Sequence, residues 1–158
     1  MTEKTIQRDL ILYLLRNGFR CFAPNISIRF GEADLLGVRS SGYAEEFEIK
    51  ISRSDYKADA KKRCKHYFYS CAKRLMDVKY KYVPNKFSYV LADGIDPNPI
   101  PEYAGMYIVK SNGTIECVKY PPLLHKEKQN WSERVANTLT WRYINLILTK
   151  RNSQEPNQ

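Results

Sequence analysis

Two short apolar segments that carry charge on alternate positions constrain this chain most. They are 26–38 and 43–51, and their β-branched and aromatic content at a spacing of two reads as two strands. Between them Arg39, Ser40, Ser41 and Gly42 form a short turn, with Gly42 where a positive φ is needed. Centring the hairpin near Ser41 sets Asp34 opposite Glu48, and Lys50 follows Glu48 at the strand period. Two carboxylates and an ammonium then share one sheet face, while Leu35, Phe47, Ile49 and Ile51 make the other face apolar. Charges collected on a sheet face call for a ligand, and a divalent metal is the simplest.

The flanking sequence supplies the other elements. Thr2 to Asn17 reads as a helix capped by Thr2 and ended at Gly18, with Ile6, Leu10, Tyr13 and Leu14 on its apolar face. Glu3 and Gln7 extend that face at its N-terminal end. Phe19 to Ala23 is a short strand that Pro24 and Asn25 interrupt. A second helix is expected from Ser52 to about Leu75, then a basic loop from Met76 to Pro84 and a strand from Phe87 to Leu91. After a proline-bearing connection, 106–110 and 114–120 form a second hairpin. Asn130, with Glu133 three residues on, opens a last helix that runs to about Lys150. Its Trp131, Val135, Leu139, Trp141, Arg142, Leu146 and Leu148 are expected to pack on the core, though the two tryptophans also admit a homodimer. Residues 1–150 thus read as one α/β domain and 151–158 as a disordered polar tail.

Asp34, then thirteen residues, then Glu48-Ile49-Lys50 resembles the signature of the PD-(D/E)XK nuclease superfamily, with Ala33 where the name-giving pattern has proline. The flanking elements extend the resemblance over about the first 90 residues. It implies a restriction-endonuclease-like α-β-β-β-α-β core with a mixed central sheet flanked by helices, to which the second hairpin and last helix are additions. It also implies Mg²⁺, with Mn²⁺ as a substitute, on Asp34, Glu48 and the Ile49 carbonyl, and Lys50 beside the scissile phosphate. Members often add a carboxylate from the first helix, for which Glu3 is the candidate. The stretch from Glu48 to Asp59 also looks like the MmcB-type group within that superfamily, which implies DNA and repair over restriction. Glu32 and Glu46 share the parity of the triad and are either outer-shell groups or solvated strand ends.

The net charge of +9 favours a polyanion, nucleic acid first. Between Arg53 and Lys81 lie ten basic residues against three aspartates, interleaved with aromatics. Arg53, Lys57, Lys61, Lys62, Lys65 and His66 are the candidate nucleic-acid contacts, the last ones closest to the cleaved phosphate. The cysteines and histidines complete no zinc or disulfide pattern, so the four thiols are expected to be reduced and buried. No segment has the form of a signal peptide or membrane span, and no nucleotide cofactor is expected, so the expectation is a soluble, cytoplasmic protein. Alternatives to a deoxyribonuclease remain. The triad also fits a cross-strand ion pair, and a catalytically inactive DNA-binding or protein-binding module on the same fold would keep the basic stretch.

Overall fold

The computed structural model describes residues 1–59, 61–72 and 82–152. The order is α1 (Glu3–Arg16), β1 (Phe19–Ile28), β2 (Gly31–Arg39), β3 (Ala44–Lys50), α2 (Arg53–Asp59), α3 (Arg63–Cys71), β4 (Lys86–Ala92), β5 (Ala104–Val109), β6 (Ile115–Lys119) and α4 (Trp131–Asn152). All six strands join one mixed sheet in chain order. β1–β2–β3 pair antiparallel, β3–β4 and β4–β5 parallel, and β5–β6 antiparallel. The parallel step from β3 to β4 needs a crossover, and α2 and α3 lie in that connection.

Helices cover both faces. On one, Ile6, Leu10 and Leu14 of α1 pack against Phe19, Leu35, Phe47, Ile49, Val90 and Tyr107. On the other, Tyr56 of α2 and Tyr69 of α3 meet Phe87, Tyr89, Leu91 and Met106, while Trp131 and Val135 of α4 meet Ile26, Leu36 and Val38. Helix α1 starts as the sequence predicts: the Thr2 hydroxyl accepts from the Thr5 N–H, and Gly18 beyond its end has φ +83°. Gly42, at φ +85°, donates its N–H to the Arg39 carbonyl and closes the β2–β3 turn.

Five expectations need correction. The segment 26–38 is not one strand: the chain turns at Arg29–Phe30, and Gly31 at φ +127° begins the return strand. Pro24 and Asn25 do not end β1, because β1 is an edge strand and a residue without an N–H is tolerated there. The helix expected from Ser52 is two helices. Lys61 and Lys62 donate to the carbonyls of Ala58 and Asp59, a tighter turn than an α-helix, and Lys62 leaves helical geometry at ψ 72°. The part of that expectation past Ala72 lies outside the described residues until 82, as do the basic residues between 73 and 81. The thiols are not buried, since Cys64 is exposed and the other three are half-buried. Finally, α4 runs to Asn152; Trp131 and Val135 are buried and Arg142 reaches back to the Pro24 and Asn25 carbonyls, but Leu139, Trp141, Leu146 and Leu148 are exposed. The rest of the tail, 153–158, lies outside the described residues.

Candidate active site

The register of β2 on β3 runs from Val38 opposite Ala44 to Leu35 opposite Phe47, so one further step sets Asp34 opposite Glu48, as the turn chemistry predicts. The backbone ladder stops there. The Ile49 N–H donates at 2.7 Å to Oδ2 of Asp34 instead of to a strand carbonyl. The Asp34 carboxylate is thereby fixed in the notch where the two strands part, and its other oxygen accepts no hydrogen bond among the described residues. Its own carbonyl accepts from Nε2 of Gln7 at 2.9 Å, and the same Nε2 reaches Oδ1 of Asn25 at 3.1 Å. Gln7 is therefore the α1 residue in contact with the site. Glu3 is exposed, and its charge adds only a small push to Asp34.

Beside Asp34 lies a dense cluster. Nζ of Lys50 donates to Oε1 of Glu48 at 2.8 Å and lies 3.6 Å from Asp59 and 3.8 Å from Asp55. Nζ of Lys62 spans Oε1 of Glu48 at 3.1 Å and Oδ1 of Asp59 at 2.7 Å. Nζ of Lys65 spans Oε2 of Glu48 at 2.7 Å and Oε1 of Glu46 at 2.5 Å. Tyr69 also donates to Glu46. Asp59 accepts from the Tyr89 hydroxyl at 2.7 Å. Nε2 of His66 faces both the Asp59 carbonyl at 2.8 Å and its carboxylate at 3.0 Å. Two acceptors on one side require that Nε2 carry the proton, so in the neutral ring the Tyr103 hydroxyl donates to Nδ1, at 2.8 Å.

The break between α2 and α3 brings these partners in. Asp59 ends α2 with its side chain buried, and its carbonyl, which already accepts from the Lys62 N–H, takes a second hydrogen bond from the His66 ring. Lys65 and His66 are themselves buried, so as placed they hold the carboxylates and do not face outward as phosphate contacts. Lys62 is 57% exposed at the side chain and so borders both cluster and solvent. Lys57 and Lys61 are exposed, and Arg53 is exposed and pairs with Asp96 at 3.4 Å. Glu32 is a solvated strand end as one reading expected, but Glu46 is fully buried.

The acidities follow the geometry. Burial pushes Asp34 up, the neighbouring Glu48 charge adds to it, and the Ile49 N–H and Lys50 offset only part, leaving it at about 6. Burial would also raise Glu48, but Lys65 and Lys50 outweigh it, and its pKa falls below the usual value. The same balance holds Asp59 well below the usual carboxylate range: burial opposes, while His66, Lys62 and Lys50 prevail. Four carboxyl groups (Glu46, Glu48, Asp55, Asp59) thus meet three ammonium groups (Lys50, Lys62, Lys65), with Asp34 beside them on the Ile49 N–H. A divalent cation suits that deficit. Mg²⁺ is held by one or two carboxylates with waters and substrate oxygens, and Asp34 has an oxygen to spare. Among the described residues no group of three or more His, Cys, Asp and Glu side chains is disposed to hold a metal.

Sequence reasoning missed Asp59, Tyr89 and Tyr103. Asp59 had a signal, being the one acidic residue one helical turn before the Lys61–Lys65 run. The tyrosines had none, because nothing local marks a buried hydroxyl as a carboxylate partner.

No family model and no curated protein matches the chain. Among solved structures, the SPO1766 protein of unknown function from Silicibacter pomeroyi superposes with a TM-score of 0.66 at 16% identity, over 99% of this chain and 96% of that one. At that identity the likeness establishes a shared fold alone, a mixed α/β fold that in this chain has a six-stranded sheet flanked by helices.

Proposed function

We propose that this protein is a Mg²⁺-dependent deoxyribonuclease of the PD-(D/E)XK kind. The observation that carries the reading is the Asp34 carboxylate, fixed on the Ile49 N–H beside the Glu48–Lys50 pair and left with a raised pKa and a free oxygen. The element order α1-β1-β2-β3, helix, β4 around a mixed sheet supports the restriction-endonuclease-like topology. The net charge of +9 suits a polyanionic substrate.

Asp34 and Glu48, with the Ile49 carbonyl, would hold the metal. When bound it supplies Lewis-acid polarisation and charge neutralisation at the scissile phosphate. The rest falls to the chain. Lys50, as buried as Lys65 and held on Glu48 near Asp59, would turn its ammonium to the charge that develops on the phosphoryl oxygens once Glu48 engages the metal. Lys65, with Tyr69, keeps Glu46 and Glu48 in place. Gln7 holds the Asp34 backbone. The exposed Lys57, Lys61 and Lys62 receive the DNA backbone.

The test is cleavage of single-stranded, duplex and branched DNA with Mg²⁺ or Mn²⁺. Lys50→Ala should abolish cutting while DNA binding survives, and Asp34→Ala should remove the thermal stabilisation given by metal. One observation favours a second reading, a binding module without turnover: three ammonium groups already neutralise Glu48. Salt-sensitive DNA binding with no cleavage under either metal would establish that reading instead.

A further inference from the structure

The first turns of α4 behave as those of an ordinary surface helix. Trp131 and Val135 are buried, Arg134 donates to the Ser27 carbonyl, and Arg142 donates to the carbonyls of Pro24 and Asn25. The outer side does not. Leu139, Trp141, Tyr143, Ile144, Leu146, Ile147 and Leu148 are each 37 to 65% exposed. At 3.6 residues per turn these seven span an arc of roughly 220°. A helix apolar on so much of its circumference belongs in an interior. At such exposures the seven side chains present on the order of 800 Å², the share one partner contributes to a stable interface.

We propose that α4 is a homodimer interface, with the outer faces of two copies of α4 packed on each other about a two-fold axis. Charge argues for a second copy. From Val135 to Thr149 the only charged residue is Arg142, and it is already engaged by β1. Two molecules that each carry +9 can therefore meet here without burying like charges. The chain's own following residues, 153–158, are polar in sequence and suit the face poorly. A bilayer fits less well, because an interfacial helix has a polar face rich in Lys and Arg opposite its apolar stripe, whereas here the apolar arc covers roughly 220° and the one basic residue from 135 to 149, Arg142, is engaged by β1. This inference stands apart from the proposed nuclease activity.

The experiment is the mass of the full chain by sedimentation and light scattering up to about 100 µM, a range in which an interface of this area holds. The expected mass is twice the 18.5 kDa of one chain. Trp141→Glu combined with Leu146→Glu should weaken association at least ~100-fold with far-ultraviolet circular dichroism unchanged, as both positions are exposed. Independently of any variant, the fluorescence of the exposed Trp141 in the native chain should shift to the blue as concentration rises. A monomer throughout, or a dimer that the double variant leaves intact, would overturn the proposal. A monomer that floats with phosphatidylserine-containing vesicles would overturn it in favour of a membrane.

Discussion

Glu45 and Glu48 lie three residues apart on β3 and are both buried, yet folding moves their acidities in opposite directions. Glu45 points to the α1 face. One oxygen accepts from the Ser88 hydroxyl at 2.6 Å, the other has no hydrogen bond, and burial pushes the carboxyl up to about 7. Gly105 makes room there, because a Cβ at that position would collide with the Ser88 hydroxyl. Glu48 points to the α2–α3 face and meets three ammonium groups. The helices make the difference. Where α1 crosses the sheet it offers Ile6, Leu10 and Leu14, whereas the broken α2–α3 segment offers Lys62 and Lys65. Burial acts on both carboxyls alike, and partners decide which stays charged.

The comparison can be broken from either side. The largest effect is expected for Glu48→Ala. It leaves buried ammonium groups without their main partner, so stability should fall by about 3 kcal/mol in urea titration, and cleavage should be lost. Glu45→Gln should act in the opposite sense. A carboxyl whose pKa is raised by folding destabilises the fold once ionised. The cost is absent below the unfolded value, grows as pH rises towards 7, and is complete above it. Glu45→Gln should therefore leave stability unchanged near pH 4 and raise it by up to about 3 kcal/mol at pH 8.

Asp34 lies between the two cases. Its raised pKa of about 6 places the same kind of cost between pH 4 and 6, reduced by partial exposure. Asp34→Asn should add about 1 kcal/mol of stability at pH 7 while it removes cleavage and the thermal gain from Mg²⁺. In the native chain that gain should fade as pH drops below 6, because protons then compete for Asp34. The smallest effect is expected for Lys62→Met. Removing a cation from Glu48 and Asp59 should tighten Mn²⁺ binding several-fold, as read by calorimetry, and weaken DNA binding. Unchanged Mn²⁺ affinity would show that Lys62 does not compete for those carboxylates.

The hairpin was legible because turn chemistry at Gly42 and the two-residue period together fix register, and register alone sets Asp34 against Glu48. Helix α1 was legible through Thr2 and Gly18. The break after Asp59 was not. Residues 52–75 have helix-forming composition throughout, and the break is repaid by contacts remote in sequence, from Asp59 to Tyr89 and Lys65 to Glu46. Lys65 and His66 read as surface cations for the same reason, since basic residues on a helix are ordinarily solvated. The outer face of α4 misled in the other direction, because an apolar helix normally signals burial within its own chain.

The sequence by itself determined the β2–β3 hairpin and the juxtaposition of Asp34, Glu48 and Lys50, because backbone period and turn geometry are local properties. Only the tertiary structure decided which charges those residues keep. Desolvation and ion pairing depend on what the crossing helices bring within about 4 Å, and that is settled by packing between segments far apart in the chain.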